Sequence, residues 1–293
     1  MTTFVEANYL LVDGVINPDA LVTLYQRGEA LDIQPLYIGT RWAELHDIGP
    51  ILVCANGGRR LIDEWAARAM ELQDACFLSS SAPIQTLADH LRHLISPPDV
   101  LGGEGLLRFA DPLVAQHWLA SYPQQQLNSL LGPIEAWSTP VFDHSWEPAA
   151  PIAWQRFTRT EPAQNWKEHN ALLGQEQLDA LDSAARWRFM ERLNEMLQQH
   201  YPQLLAQISP EQRTYWFDQR LNEAQAWGLA TERSLAIWVE YSLRWGEGFT
   251  LRANGPYQQW LERTPEALKL APEMRIQQMD NDCLAIEFNK DVS

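Results

Sequence analysis

The sequence predicts an α/β N-terminal lobe, with a mixed or mainly parallel sheet and flanking helices, followed by a mainly α-helical C-terminal lobe. Three observations carry this expectation. Short apolar runs alternate with amphipathic stretches over residues 1–140. A proline-rich stretch without periodicity, 141–165, reads as a connector. From about residue 166 the pattern is helical almost to the end, which makes 166–293 a helical lobe.

The strand candidates are YLLVD (9–13), PLYIG (35–39), ILVCA (51–55), ACFLSS (75–80), LLRFA (106–110) and IEAWS (134–138). Helical patterns fill most of the intervals, at 18–28, 58–72, 84–95 and 111–122. In 58–72, Leu61, Ile62, Trp65, Ala69 and Leu72 fall on one stripe at the helical repeat. In the second half, 176–201 places Trp187, Met190, Leu193, Leu197 and Tyr201 on one face, and Pro202 ends it. SPEQ (209–212) is a helix start with Ser209 as cap and Pro210 in the first turn. Gly228 stops that helix, and the next runs over 230–246 from a Thr231 cap. It has two apolar stripes, Leu235/Trp238/Val239/Ser242 and Ile237/Tyr241/Trp245, as suits a helix central in a bundle, the preferred reading, or one that packs on its own fold with one face and on a partner with the other. CLAIEF near the end reads as a last strand.

The net charge is −16, and residues 1–150 carry 7 basic against 18 acidic side chains. Such a field repels a phosphate backbone, which argues against nucleic-acid binding. No apolar run is long enough to span a bilayer, and the N-terminus lacks the basic start of a secretory signal. Three cysteines without a close pair fit reduced thiols and a cytoplasmic protein without membrane partners. Thirteen Trp, and three Lys beside nineteen Arg, match the usage of interface hot spots; Trp-rich core packing accounts for the same numbers.

No enzyme motif emerges. Asp13 ends an apolar strand as a phosphotransferase nucleophile would, but the second carboxylate such a motif needs is replaced by Val15. VCANGGRR (53–60) lacks the Lys-Ser/Thr of a phosphate loop, and FLSSSAP is no nucleophile elbow. His90 and His93 have no carboxylate or cysteine at a zinc spacing. No metal or cofactor is expected.

LLRFADP (106–112) resembles the Arg-Phe-x-Asp-Pro signature of the bacterial type VI secretion effector-adaptor family. YLLVDG is similar to the opening strand of that family, PLYIGT…GPILV to its next two segments, FLSS…LADHLRHLI to its strand and helix, and LLGPIEAW to its closing segment. Together these motifs cover residues 8–138. Leu113 stands where members carry an arginine, and WGEGF (245–249) matches a looser C-terminal motif. The resemblance implies a cytoplasmic, non-enzymatic, chaperone-like adaptor. It would bind a toxic effector and load it onto the VgrG spike, without a cofactor. A hydrolase-like enzyme on an α/β fold, and a scaffold unrelated to secretion, stay open as alternatives.

Asp111-Pro112 is a good helix start, and Arg108 can reach a carboxylate such as Asp13 on a neighbouring strand. Asp13, Arg92, Arg108 and Asp111 are therefore expected to form a structural lattice, with direct partner contact by Arg108 as the alternative. The candidates for cargo binding are the aromatic and apolar residues expected on the surface of the helical lobe: Trp216, Trp227, Ile237, Tyr241 and Trp245.

Overall fold

The computed structural model describes residues 5–54, 58–100, 102, 103, 105–164 and 166–291. The glycine turn at 53–60 considered above lies partly outside the described residues. The chain forms two compact units, Met1–Asp143 with Ala150–Ala185, and His144–Ala149 with Arg186–Ser293.

The first unit is built on six strands: β1 (Tyr9–Asp13), β2 (Asp32–Pro35), β3 (Pro50–Cys54), β4 (Ala75–Ser79), β5 (Ala136–Pro140) and β6 (Trp154–Thr158). Their order is β2-β3-β1-β4-β5-β6, and every neighbouring pair is antiparallel. The expected mixed or mainly parallel sheet is thus corrected. The reason is topological. β1 and β2 run the same way, as do β3 and β4, so each helical crossover does join parallel strands. The two crossovers interleave, however, and each inserts an opposed strand between the pair that the other connects.

Both faces of the sheet are covered, which is why β1 reads as a continuous apolar run rather than an alternation. Leu10, Val12, Ile51, Val53 and Phe77 pack under α1 (Ala20–Gln26) and α2 (Arg60–Ala67), which the short α3 (Ala69–Leu72) follows. Leu11, Leu52, Cys76, Leu78 and Trp137 face α4 (Ile84–Arg92), α5 (Pro112–Ala120) and α6 (Gln124–Leu131).

Three sequence expectations shift. PLYIG is largely a turn after β2, because the paired residues are the more polar Asp32–Pro35. LLRFA is not a strand. Leu107 bonds its N–H to the Ile95 carbonyl, and Leu107, Phe109 and Ala110 enter the core from a loop. The expected connector contains β6, which closes the sheet edge by pairing Trp137 with Phe157.

The second unit takes most of α7 (Gln175–His200), with α8 (Pro202–Leu205), α9 (Pro210–Trp227), α10 (Glu232–Trp245), α11 (Pro256–Arg263) and α12 (Pro272–Asp291). CLAIEF lies within α12 and is helical. Ile276, Met279 and Cys283, three and four residues apart, face the core of this unit. Both stripes of α10 bury Leu235, Ile237, Trp238, Val239, Tyr241 and Ser242, so this helix is central in its bundle. Thr231 caps it, and Glu273 of α12 accepts from the Thr231 N–H at 2.9 Å and from the hydroxyls of Thr231 and Ser234. The segment His144–Ala149 is seated here. The His144 ring stacks on Trp146 (4.2 Å) and on Trp187 (4.7 Å), and its Nδ1 lies 2.6 Å from Glu191 Oε1.

Candidate functional site

In the first unit, four of the motif segments converge at the end of β1. Asp13 is its last residue, and the chain turns at Gly14. Asp13 Oδ1 accepts the N–H groups of Val15 (2.9 Å) and Ile16 (3.0 Å), and Arg108 Nη2 donates to it at 3.0 Å. The same guanidinium nitrogen lies 3.5 Å from Asp111 Oδ2, while Asp111 Oδ1 caps α5 by accepting from Leu113 N (3.1 Å) and Val114 N (3.4 Å). The two carboxylates are nearly sealed, with side-chain exposures of 5% and 1%, against 36% for Arg108. Burial works against the Arg108 charge, but Asp13 and Asp111 beside it outweigh burial and hold its pKa above the ordinary value. The Tyr37 phenol is pushed up, first by burial and then by Asp13.

The glycines of these motifs have a steric reason. A Cβ on Gly14 would stand 2.5 Å from the Gly49 carbonyl oxygen, and one on Gly49 would stand 2.7 Å from the Tyr37 ring. The Asp-Gly of β1, the Gly-Pro opening β3, Tyr37 of PLYIG and the Arg-Phe-x-Asp-Pro loop are therefore parts of one packed corner. Chemically it is an anchor. Asp13 Oδ1 already accepts three hydrogen bonds, which fixes the loop and leaves that oxygen poorly suited to attack.

Arg92 is not among these contacts. It donates through Nε to the Leu36 carbonyl (3.2 Å) and through Nη1 to Asp89 (2.8 Å), one turn back on its own helix, and these bonds hold it away from the Asp13 corner. Leu113, in the place of the family arginine, is buried. His90 and the Gly132-Pro133 turn form a second meeting of motifs. Gly132 has φ +53°, and a Cβ there would lie 2.5 Å from the His90 ring. The His90 Nε2 contacts the Leu130 carbonyl at 3.0 Å, so this nitrogen carries the proton, and burial lowers the pKa of the ring to about 4.

In the helical unit, the cargo-binding candidates divide. Ile237 and Tyr241 are core residues, 5% and 0% exposed, and are corrected accordingly: the second stripe of α10 meets its own unit instead of solvent. Trp227 is half-buried against Trp238 (5.3 Å), with the Arg275 guanidinium 5.4 Å from its ring, and Trp245 against Tyr241 (4.3 Å). Trp216 does line a concave surface, a groove of about 670 Å³ whose walls include Tyr215, Arg220, Ser242, Leu243 and Glu247. Tyr215 is 69% exposed. Arg220 is buried, donates to Glu223 (2.7 Å) and pairs with Glu247 (2.6 Å), while its guanidinium lies 6.0 Å from the Trp216 ring. Ser242 Oγ and Arg220 Nε are buried without a hydrogen-bond partner among the described residues. Sequence reading missed Tyr215 and Arg220. The signal for Arg220 was present, because it shares the spacing of Phe217, Leu221 and Ala224 and so places a charge on a buried face.

Among the described residues no cluster of His, Cys, Asp or Glu is arranged to hold a metal ion, and no helix is long and apolar enough to cross a membrane.

Residues 8–129 match the model of a family described as "Domain of unknown function (DUF4123)". The chain is also similar to "Accessory protein VasW" of Vibrio cholerae serotype O1 (strain ATCC 39315 / El Tor Inaba N16961). The two are 25% identical over 233 residues, which cover 79% of this chain and 73% of that protein. No solved structure matches. The family match begins at the strand that ends in Asp13 and spans Arg108 and Asp111, so it covers the same corner. The motifs in their order, that match and that relative all fit the type VI secretion effector-adaptor family.

Proposed function

We propose that the protein is a cytoplasmic, non-enzymatic adaptor that binds a toxic effector and loads it onto the VgrG spike of a type VI secretion system. The observation that carries this reading is the groove of the helical unit. It exposes Tyr215 beside Trp216, with Arg220 buried behind them, the residue types that dominate binding hot spots. The volume falls in the range of ligand pockets, about 300–1,000 Å³. A stable protein interface covers about 800 Å² per partner, so the groove is the anchor of a larger contact. The signature residues of the family, engaged in the corner at β1, support the reading from the other side by holding the fold and leaving the surface to vary.

The test is co-purification from a co-expression strain, with a VgrG spike protein and a candidate toxin from the same genome present singly and together. Retention of the toxin, and its loss from the spike when this chain is omitted, is the expected result. The Trp216→Ala/Tyr215→Ala variant is expected to fold and to lose at least about 2 kcal/mol of effector binding, roughly thirtyfold. Unchanged retention by that variant would remove the groove from the reading, and binding of neither protein would remove the adaptor itself.

A further inference from the structure

We propose that a pocket of about 280 Å³ in the α/β unit, between the turn that follows β2 and the end of α4, receives a carboxylate of an acidic peptide segment. Its walls include Thr40, Arg41, Trp42, Arg92, His93 and Trp166. Two arginines and a histidine line it and, among the described residues, no acidic residue does, Asp89 pairing with Arg92 from outside the lining, in a chain whose net charge is −16. The cations are held in place. Arg41 donates to Ser96 Oγ at 2.8 Å with its guanidinium 5.0 Å from the Trp42 ring, and Arg92 is fixed by the Leu36 carbonyl and Asp89. The Trp42 ring, half-buried, forms one wall. Trp166 stacks on His93 at 5.3 Å and 12°.

The lining therefore offers donors and positive charge, and two indoles supply flat apolar walls. A ligand that fits has acceptor oxygens with negative charge and apolar atoms beside them. The volume lies below that of pockets for drug-sized ligands, about 300–1,000 Å³, so it suits one or two side chains. The surrounding field then selects among anions. A monovalent carboxylate meets less repulsion from a strongly acidic chain than a doubly charged phosphate does, and arginines bind carboxylates in a bidentate geometry. A glutamate with apolar neighbours, carried on a peptide, meets all of these conditions. The site is in a different unit from the groove and does not depend on the adaptor reading.

The experiment uses the intact chain with ¹⁵N-labelled tryptophan, titrated with an acetylated, amidated Ser-Leu-Glu-Leu-Ser peptide, with its glutamine counterpart, and with inorganic phosphate. The glutamate peptide is expected to shift the indole signals of Trp42 and Trp166 saturably and to bind about tenfold or more tighter than the glutamine peptide. Arg41→Gln, at an exposed position, is expected to keep the circular dichroism of the wild type and to weaken binding about tenfold. No saturable shift at these two indoles, equal binding of the two peptides, wild-type affinity in Arg41→Gln, or tighter binding of phosphate than of the glutamate peptide would each overturn the proposal.

Discussion

Replacing Arg108 by alanine tests whether the corner at β1 holds the fold. Removing one member of a fully buried ion pair costs about 3–5 kcal/mol, because the other charge is left without a partner in a poor solvent. Two features of the corner lower that figure. The Arg108 side chain is 36% exposed, so part of its field is already screened. Each stranded carboxylate also keeps two backbone N–H donors, Val15 and Ile16 for Asp13, Leu113 and Val114 for Asp111. The expected loss is therefore about 2–3 kcal/mol. Asp13→Asn separates charge from shape, because an amide oxygen can still accept the Val15 and Ile16 N–H groups. In a double-mutant cycle the pair should show a coupling of about 1–2 kcal/mol. Urea unfolding read on the α/β unit, with the slope of the transition checked for constancy, supplies the numbers. A coupling below about 0.5 kcal/mol would refute the reasoning. An Arg108→Ala protein of unchanged stability that fails to retain its partner would instead make Arg108 a contact residue.

Gly132→Ala sets a Cβ 2.5 Å from the His90 ring at φ +53°, so strain and overpacking together should cost about 2 kcal/mol or more, seen as a lower urea midpoint. Glu273 gives a pH signature. Burial alone would raise its pKa, but hydrogen bonds from the Ala230 N–H, the Ser234 hydroxyl and Thr231 outweigh this and lower it to about 2. Its folded value lies below its unfolded one, so its contribution is complete above the ordinary carboxylate value and drains as pH falls from there toward about 2. Glu273→Gln should be less stable at neutral pH and should show a flatter stability profile across that acid window. An equally steep profile in the variant would assign the acid sensitivity to other groups.

The central strands were legible because β1, β3 and β4 are runs of five residues, almost all buried, between turn signals. The edge strands were not. Asp32–Pro35 and Trp154–Thr158 leave most of their side chains partly in water and carry no apolar pattern. Strand direction was hidden as well, since a helix between two strands says only that they are joined across a face. Leu107, Phe109 and Ala110 imitated a strand because a loop that dives into the core is as apolar as a buried strand. At the corner, Asp13, Arg108 and Asp111 were readable from their positions at element ends, whereas the local pairing of Arg92 with Asp89 depended on side-chain direction. The groove was half legible. Trp216 was anticipated, but Ile237 and Tyr241 could not be told from surface residues, because two apolar stripes on one helix look alike until the bundle says which is covered.

The short excursion His144–Ala149 has a consequence for inheritance. The chain passes from one unit to the other at 143/144, at 149/150 and again at 185/186, so no single crossover in the gene separates the two. A recombination that replaced everything after residue 185 would bring in a helical bundle without its own Trp146, whose indole donates to Thr214 and packs at 5.4 Å from Phe217. Exposed positions of the bundle can drift, but the seat for that indole must stay matched to a loop encoded some forty residues before residue 185. A changed groove in this chain is therefore reached by point substitution more readily than by wholesale exchange of its C-terminal half.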